Sequence, residues 1–233
     1  MKDHLFHLGW ISLIALQLCS CSHGDDDDSG VPQKTNKLHA DTNAVAPSNQ
    51  PSAKAIQANP YEGIPDNEPV IHRVQAGQPG EDGWCLAKPT RGAFSIMLPG
   101  QFADTMVKSK TPTGGTGVMH TVAAKSSYGV EFTVLQTEII GHPPGESAVN
   151  LMLERFKELG ATVTKVDMVF ADQPAVRMRV KAKGVAAEFI HVTLANSHYM
   201  LAVQARPPQP DNPKLEADIE RFFLSFKLLD REE

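Results

Sequence analysis

From residue 92 to residue 206, apolar side chains return at every second position in run after run, and apart from one interruption the runs are joined by turns too short to hold a crossover helix. Alternation of period two with short connections calls for antiparallel strands. Phe94, Ile96 and Leu98 share one face of a first strand over 92–98, which stops at Pro99-Gly100. Further strands are expected over 103–110, 118–125 and 130–139, with the loop 111–117 between the first two and Tyr128-Gly129 before the last. After an interruption the pattern resumes over 162–170, 175–183, 185–195 and 198–206, with Asp172-Gln173-Pro174 and Asn196-Ser197 as turns. In the strand 175–183, Val176, Met178 and Val180 alternate with Arg177, Arg179 and Lys181, so one face of it is basic and wet.

The interruption is helical. His142, Pro143 and Pro144 end the first group of strands, because proline removes a ladder donor. Over 146–159 the spacing changes: Ala148, Met152, Phe156 and Leu159 fall on one stripe with Val149, Asn150 and Glu154 face outward, and Gly160 supplies the stop. A second helix opens with Asn212 as cap and Pro213 at its first position, where proline has no donor to lose. Its stripe, Leu215, Ile219, Phe222, Phe223 and Phe226, must be buried against a sheet. About eight strands and two helices make an α+β layered domain with a mainly antiparallel sheet. The order of these elements, and above all Tyr199-Met200-Leu201 followed by ADIERFFLSFKLL over 217–229, resembles the PsbP-like fold. That resemblance implies an antiparallel sheet sandwiched by helices, as in photosystem-associated PsbP, a Ran-binding nuclear-transport relative and many bacterial envelope lipoproteins. Nothing in the sequence marks a thylakoid protein, so the manganese-related role of the photosystem members is not carried over.

The N-terminus carries an address. Residues 5–18 (LFHLGWISLIALQL) form a mostly apolar stretch behind Lys2. As a helix it is too short for the roughly 30 Å of a bilayer's hydrocarbon, and it reads as a signal peptide over 1–20. Leu18-Cys19-Ser20-Cys21 resembles the bacterial lipobox, with an aliphatic residue at −3, a small one at −1 and the cysteine that receives the lipid. The resemblance makes Cys21 the acylated mature N-terminus. Acyl chains contribute about 0.8 kcal/mol per buried methylene, and stable anchoring takes more than one of them. Ser22 follows the cysteine where lipoproteins kept at the inner membrane often carry Asp. The expected location is therefore the bacterial cell envelope, at the outer membrane facing the periplasm if the cell has two membranes.

Residues 21–88 read as a lipidated, disordered tether and 89–233 as the globular domain. From Ser22 to Gly83 there are 4 Lys and Arg against 10 Asp and Glu, and no apolar periodicity offsets the entropy of ordering. At the distal end Val70, Ile71, Val74, Trp84 and Leu86 are more apolar, and two readings stay open for them: a mobile linker, or an extra segment packed on the domain. A flexible coil of roughly 65 residues reaches about 40 to 50 Å. The acidic run Asp25 to Asp28 lacks the spaced ligands and glycine turn of a calcium loop. A formal net charge of -5 disfavours nucleic acid, which needs a basic surface to displace counterions.

Candidate chemistry is sparse. Cys85 has no recognisable nucleophile context and reads as a packed thiol. No GxSxG elbow occurs, and Gly114-Gly115-Thr116-Gly117 lacks the Lys-Ser/Thr of a phosphate loop. Of His120, His142, His191 and His198, the last two share a sheet face. A turn at Asn196-Ser197 would set them about four residues or roughly 13 Å apart, beyond one ion whose nitrogens lie about 2.0 to 2.1 Å away. No catalytic set, metal or cofactor is therefore expected. Arg177, Arg179 and Lys181 are the candidate face for an envelope protein or a small anionic ligand. The expected function is a membrane-anchored, non-catalytic binding or accessory domain. The alternative is a hydrolase-like envelope enzyme with a site assembled from distant residues such as Glu131, Glu188 or a histidine.

Overall fold

The computed structural model describes residues 61–110, 115–140, 147–194, 197–209 and 212–229. The signal stretch, Cys21, the acidic run and His142 lie outside the described residues. Chain contacts divide the protein between Gly63 and Ile64, and every described strand and helix belongs to the unit from Ile64 onward.

Eleven strands and two helices are present among the described residues: β1 (Pro69–Ala76), β2 (Trp84–Ala87), β3 (Phe94–Pro99), β4 (Phe102–Lys110), β5 (Thr116–Lys125), β6 (Glu131–Ile140), α1 (Ser147–Glu158), β7 (Thr162–Phe170), β8 (Gln173–Ala182), β9 (Val185–Thr193), β10 (Ser197–Ala205), α2 (Pro213–Leu224) and β11 (Lys227–Leu228). Eight strands form one antiparallel sheet in the order β1-β4-β5-β6-β10-β9-β8-β7, and β11-β3-β2 form a second, smaller one. The large sheet is thus two meanders joined where β6 pairs with β10. The class is α+β, with a mainly antiparallel sheet and two helices.

Both faces of the large sheet are covered. On one side β3, β2 and α2 pack down through an aromatic cluster: Phe132 meets Trp84 at 6.1 Å and Phe222 at 5.3 Å, and Phe226 meets Phe94, Phe170 and Tyr199 at 5.7 to 6.0 Å. On the other side α1 supplies Met152 and Phe156 to a core of Met119, Leu135, Met178, Phe189 and Met200. Helix α2 starts as its sequence requires, with the Asn212 side chain accepting from the amides of Lys214 and Leu215. Its middle is tied to the β5–β6 turn by the Tyr128 hydroxyl, which donates to Asp218 at 2.5 Å.

Two described strands precede residue 89, where the globular domain was expected to start. Strand β1 pairs with β4 at the edge of the large sheet, and β2 pairs with β3. Trp84, Cys85 and Ala87 are buried, whereas Ile71, Val74 and Leu86 stay exposed. Apolar periodicity does not mark β1 because its backbone ladder and the ion pair of Arg73 with the buried Asp104 hold it, not an apolar face.

Candidate functional site

The expected basic row lies on the α2 side of the sheet. Arg177 and Arg179 project beside Glu188 of β9, which stands opposite Arg179 in the register. Arg177 donates to one Glu188 oxygen and Arg179 Nε to the other at 3.3 Å. The Arg177 guanidinium also lies over the Phe223 ring at 5.8 Å, so α2 fixes its direction. Side-chain exposure rises from 35% at Arg177 to 63% at Arg179, and Lys181 is exposed further along. One carboxylate therefore bridges two arginines whose outer edges face water. An incoming anion would meet a planar guanidinium suited to bidentate contact and a neighbouring ammonium, with Glu188 as the resident competitor.

The histidines fall differently from the expectation. Leu194 donates its amide to Ser197 at 2.8 Å, so β9 and β10 are joined across residues 195–196, one position before the expected turn. His198 is then opposite Thr193 and His191 opposite Met200. The shift halves their offset, and the two rings stand 5.2 Å apart instead of roughly 13 Å. Burial first, and the neighbouring His198 second, push His191 down to about 4, and burial lowers His198. Both rings are thereby held neutral on the α1 side, with Thr193 Oγ1 at 3.3 Å from His198 Nδ1. His120 is on the opposite face, with Val118 and Val122. Among the described residues no group of three metal-ligating side chains converges.

A third group escaped the sequence reading. Asp104, only 1% exposed, accepts from Arg73 at 2.6 Å and from the Thr90 amide and hydroxyl at 2.9 and 2.6 Å. Arg73 also donates to the Lys88 carbonyl at 2.5 Å. Beside it, Gln136 Oε1 accepts from the Ala93 amide at 2.7 Å and Gln136 Nε2 donates to Glu138 at 2.6 Å, with His120 Nε2 3.9 Å from the same carboxylate. Gly92 permits this approach: a Cβ there would stand 2.5 Å from Pro89 Cγ and 2.9 Å from Gln136 Oε1. The row pins the chain between β2 and β3 onto β4, β5 and β6. Its signal in the sequence is one of phase, since His120 falls between Val118 and Val122 and Gln136 and Glu138 continue the face of Phe132 and Val134.

Glu131 and Glu188, the carboxylates considered for catalysis, lie on opposite faces of the sheet. Glu131 stands opposite Lys125 at the end of the β5–β6 hairpin, and Glu188 is the arginine bridge. Cys85 is a buried free thiol whose pKa is raised by burial and then by Asp82. No protein-family model matches the chain, and no curated protein matches it significantly.

Proposed function

We propose that this chain is a lipid-anchored envelope protein, acylated at Cys21, whose sheet domain binds an anionic partner or ligand without turning it over. The fold is proposed to be PsbP-like. The observation that carries the binding reading is the β8 face, where Arg179 and Lys181 are exposed beside an arginine already bridged to Glu188. Carboxylate or phosphate groups suit such a face because the exposed Arg179 guanidinium and Lys181 ammonium can donate to an oxyanion while Glu188 keeps Arg177 in place.

Three of the residues with catalytic potential are engaged in the architecture. Asp104 holds Arg73 and Thr90, Glu188 holds two arginines, and the Cys85 thiol is kept protonated by burial. The anchor reading rests on the apolar stretch 5–18 and on Leu18-Cys19-Ser20-Cys21. Ser22 favours the outer membrane, facing the periplasm, in a cell with two membranes.

Fractionation, mass spectrometry, crosslinking and a turnover assay test this reading. Cys21→Ala should move the protein from the membrane to the soluble fraction, and mass spectrometry of the mature chain should find an acylated Cys21 at its start. Crosslinking of the full chain in intact cells should capture a partner, and Arg179→Glu with Lys181→Glu should lose it while the fold is retained. Turnover by the full chain that one His or Glu substitution abolishes would overturn the binding reading in favour of an envelope enzyme.

A further inference from the structure

The two edges of the large sheet are built differently. At β1 the ladder to β4 is broken by register shifts between Ile71 and Arg73 and again before Ala76, irregularities that blunt an edge against further pairing. At β7 the ladder to β8 runs through nine consecutive pairs, from Thr162 opposite Lys181 to Phe170 opposite Gln173, without a shift. The outer side of β7 is therefore a straight row of backbone donors and acceptors, with Val166 55% and Val169 72% exposed beside it. Phe170 stacks on Phe226 at 5.7 Å, which fixes one end of the strand to the core.

The sequence of β7, TVTKVDMVF, is complementary to itself. We infer that β7 is the contact by which two copies of this chain pair edge to edge, antiparallel, about a twofold axis through Val166. A twofold axis perpendicular to the sheet keeps each face continuous, so residues of the same parity must meet. Centred on Val166, this pairing sets Lys165 against the second copy's Asp167 and Asp167 against its Lys165. On the same face it sets Val163 against Val169, and on the other Thr164 against Met168. The neighbouring registers that respect parity are centred on Lys165 or Asp167, and each brings like charges face to face. Like charges directly opposed across strands are destabilising, so the two charges select one register out of three. Lys165 and Asp167 already share a face within one copy, with Nζ and Oδ1 3.6 Å apart, and their side chains are 40% and 81% exposed.

A single nine-residue strand is a small interface, and the dimer is expected to be weak and reversible. Sedimentation equilibrium of the full chain in detergent, up to millimolar concentration, should show a monomer–dimer equilibrium. Lys165→Glu alone and Asp167→Lys alone should each weaken it at least tenfold. The double exchange Lys165→Glu with Asp167→Lys should restore it, because the pairing is regenerated with its signs reversed. Unchanged thermal unfolding of each variant confirms that the fold is intact. Hydrogen exchange gives a second reading: β7 amides not bonded to β8 should gain protection at high concentration. A chain that stays monomeric throughout, or a dimer indifferent to all three variants, overturns the inference.

Discussion

At the scale of single residues, the buried polar groups sort by whether the structure gives them partners or strips them of charge. Asp104 is compensated by an arginine, an amide and a hydroxyl. His191 is instead held neutral, at about 4 against a usual value of 6.5, by burial first and His198 second. An unfolded chain binds a proton at this ring below about 6.5, whereas the folded one does not until about 4. Stability is therefore complete above about 6.5 and falls as the pH drops through that window, by about 3 kcal/mol in all from this group. Urea midpoints measured from neutral pH down to about 4.5 should show this slope, and His191→Gln should reduce it to the part that the buried His198 contributes. A slope unchanged by the substitution would assign the acid sensitivity elsewhere. None of this was legible in the sequence: the proximity of the rings depends on which residues close the β9–β10 hairpin, and Asn196-Ser197 is as good a turn by composition as the connection the chain uses.

Whole elements were more legible, because periodicity is a property of elements. The helix expected over 146–159 is Ser147–Glu158, and the one opened by Asn212-Pro213 runs to Leu224. Phe226 lies beyond that end, yet it is buried as the stripe requires. The strand expected over 162–170 has those bounds, but the turn after it is displaced. Gln173 already pairs with Phe170, so Ala171 and Asp172 make the turn, at φ 49° and 59°. The proline at 174 pointed to a turn one or two residues later than the backbone makes it. A two-residue hairpin with both φ positive favours Asn-Gly, and alanine in the left-handed region costs about 1 to 2 kcal/mol. Ala171→Asn with Asp172→Gly should therefore raise stability by about 1 kcal/mol, read as a higher midpoint at unchanged denaturant slope. A lower midpoint would mean that the Asp172 side chain and the packing of Ala171 against the core contribute more than the backbone strain costs.

At the scale of the molecule, the sequence is most misleading where a strand is held by its ladder and not by an apolar face. The antiparallel α+β class could be read from residues 92–229, but for residues 69–87 the apolar residues Val70, Ile71, Val74, Trp84 and Leu86 left packing segment and linker both open, since β1 exposes most of its side chains. The fold treats that segment as its own. Strand β2 contributes Trp84, Cys85 and Ala87 to the core, and α2 clasps it through Arg221, which lies 4.5 Å over the Trp84 ring and donates to Asp82 at 2.5 Å. A fragment starting at residue 89 keeps every element of the sequence-derived domain yet removes Trp84 from between Phe132 and Arg221 and Arg73 from Asp104. Losing a buried tryptophan alone costs about 3 to 5 kcal/mol, against a typical total of about 5 to 15 kcal/mol. Asp104 would also keep only Thr90 as a partner for its buried charge. The fragment 89–233 should consequently lack a cooperative thermal transition and be cut rapidly by protease, while 64–233 should melt where the full chain does. A cooperative transition of 89–233 at the full-chain temperature would place β1 and β2 outside the folding unit, and the ladders to β4 and β3 would then be accessory to a domain that begins where its apolar alternation does.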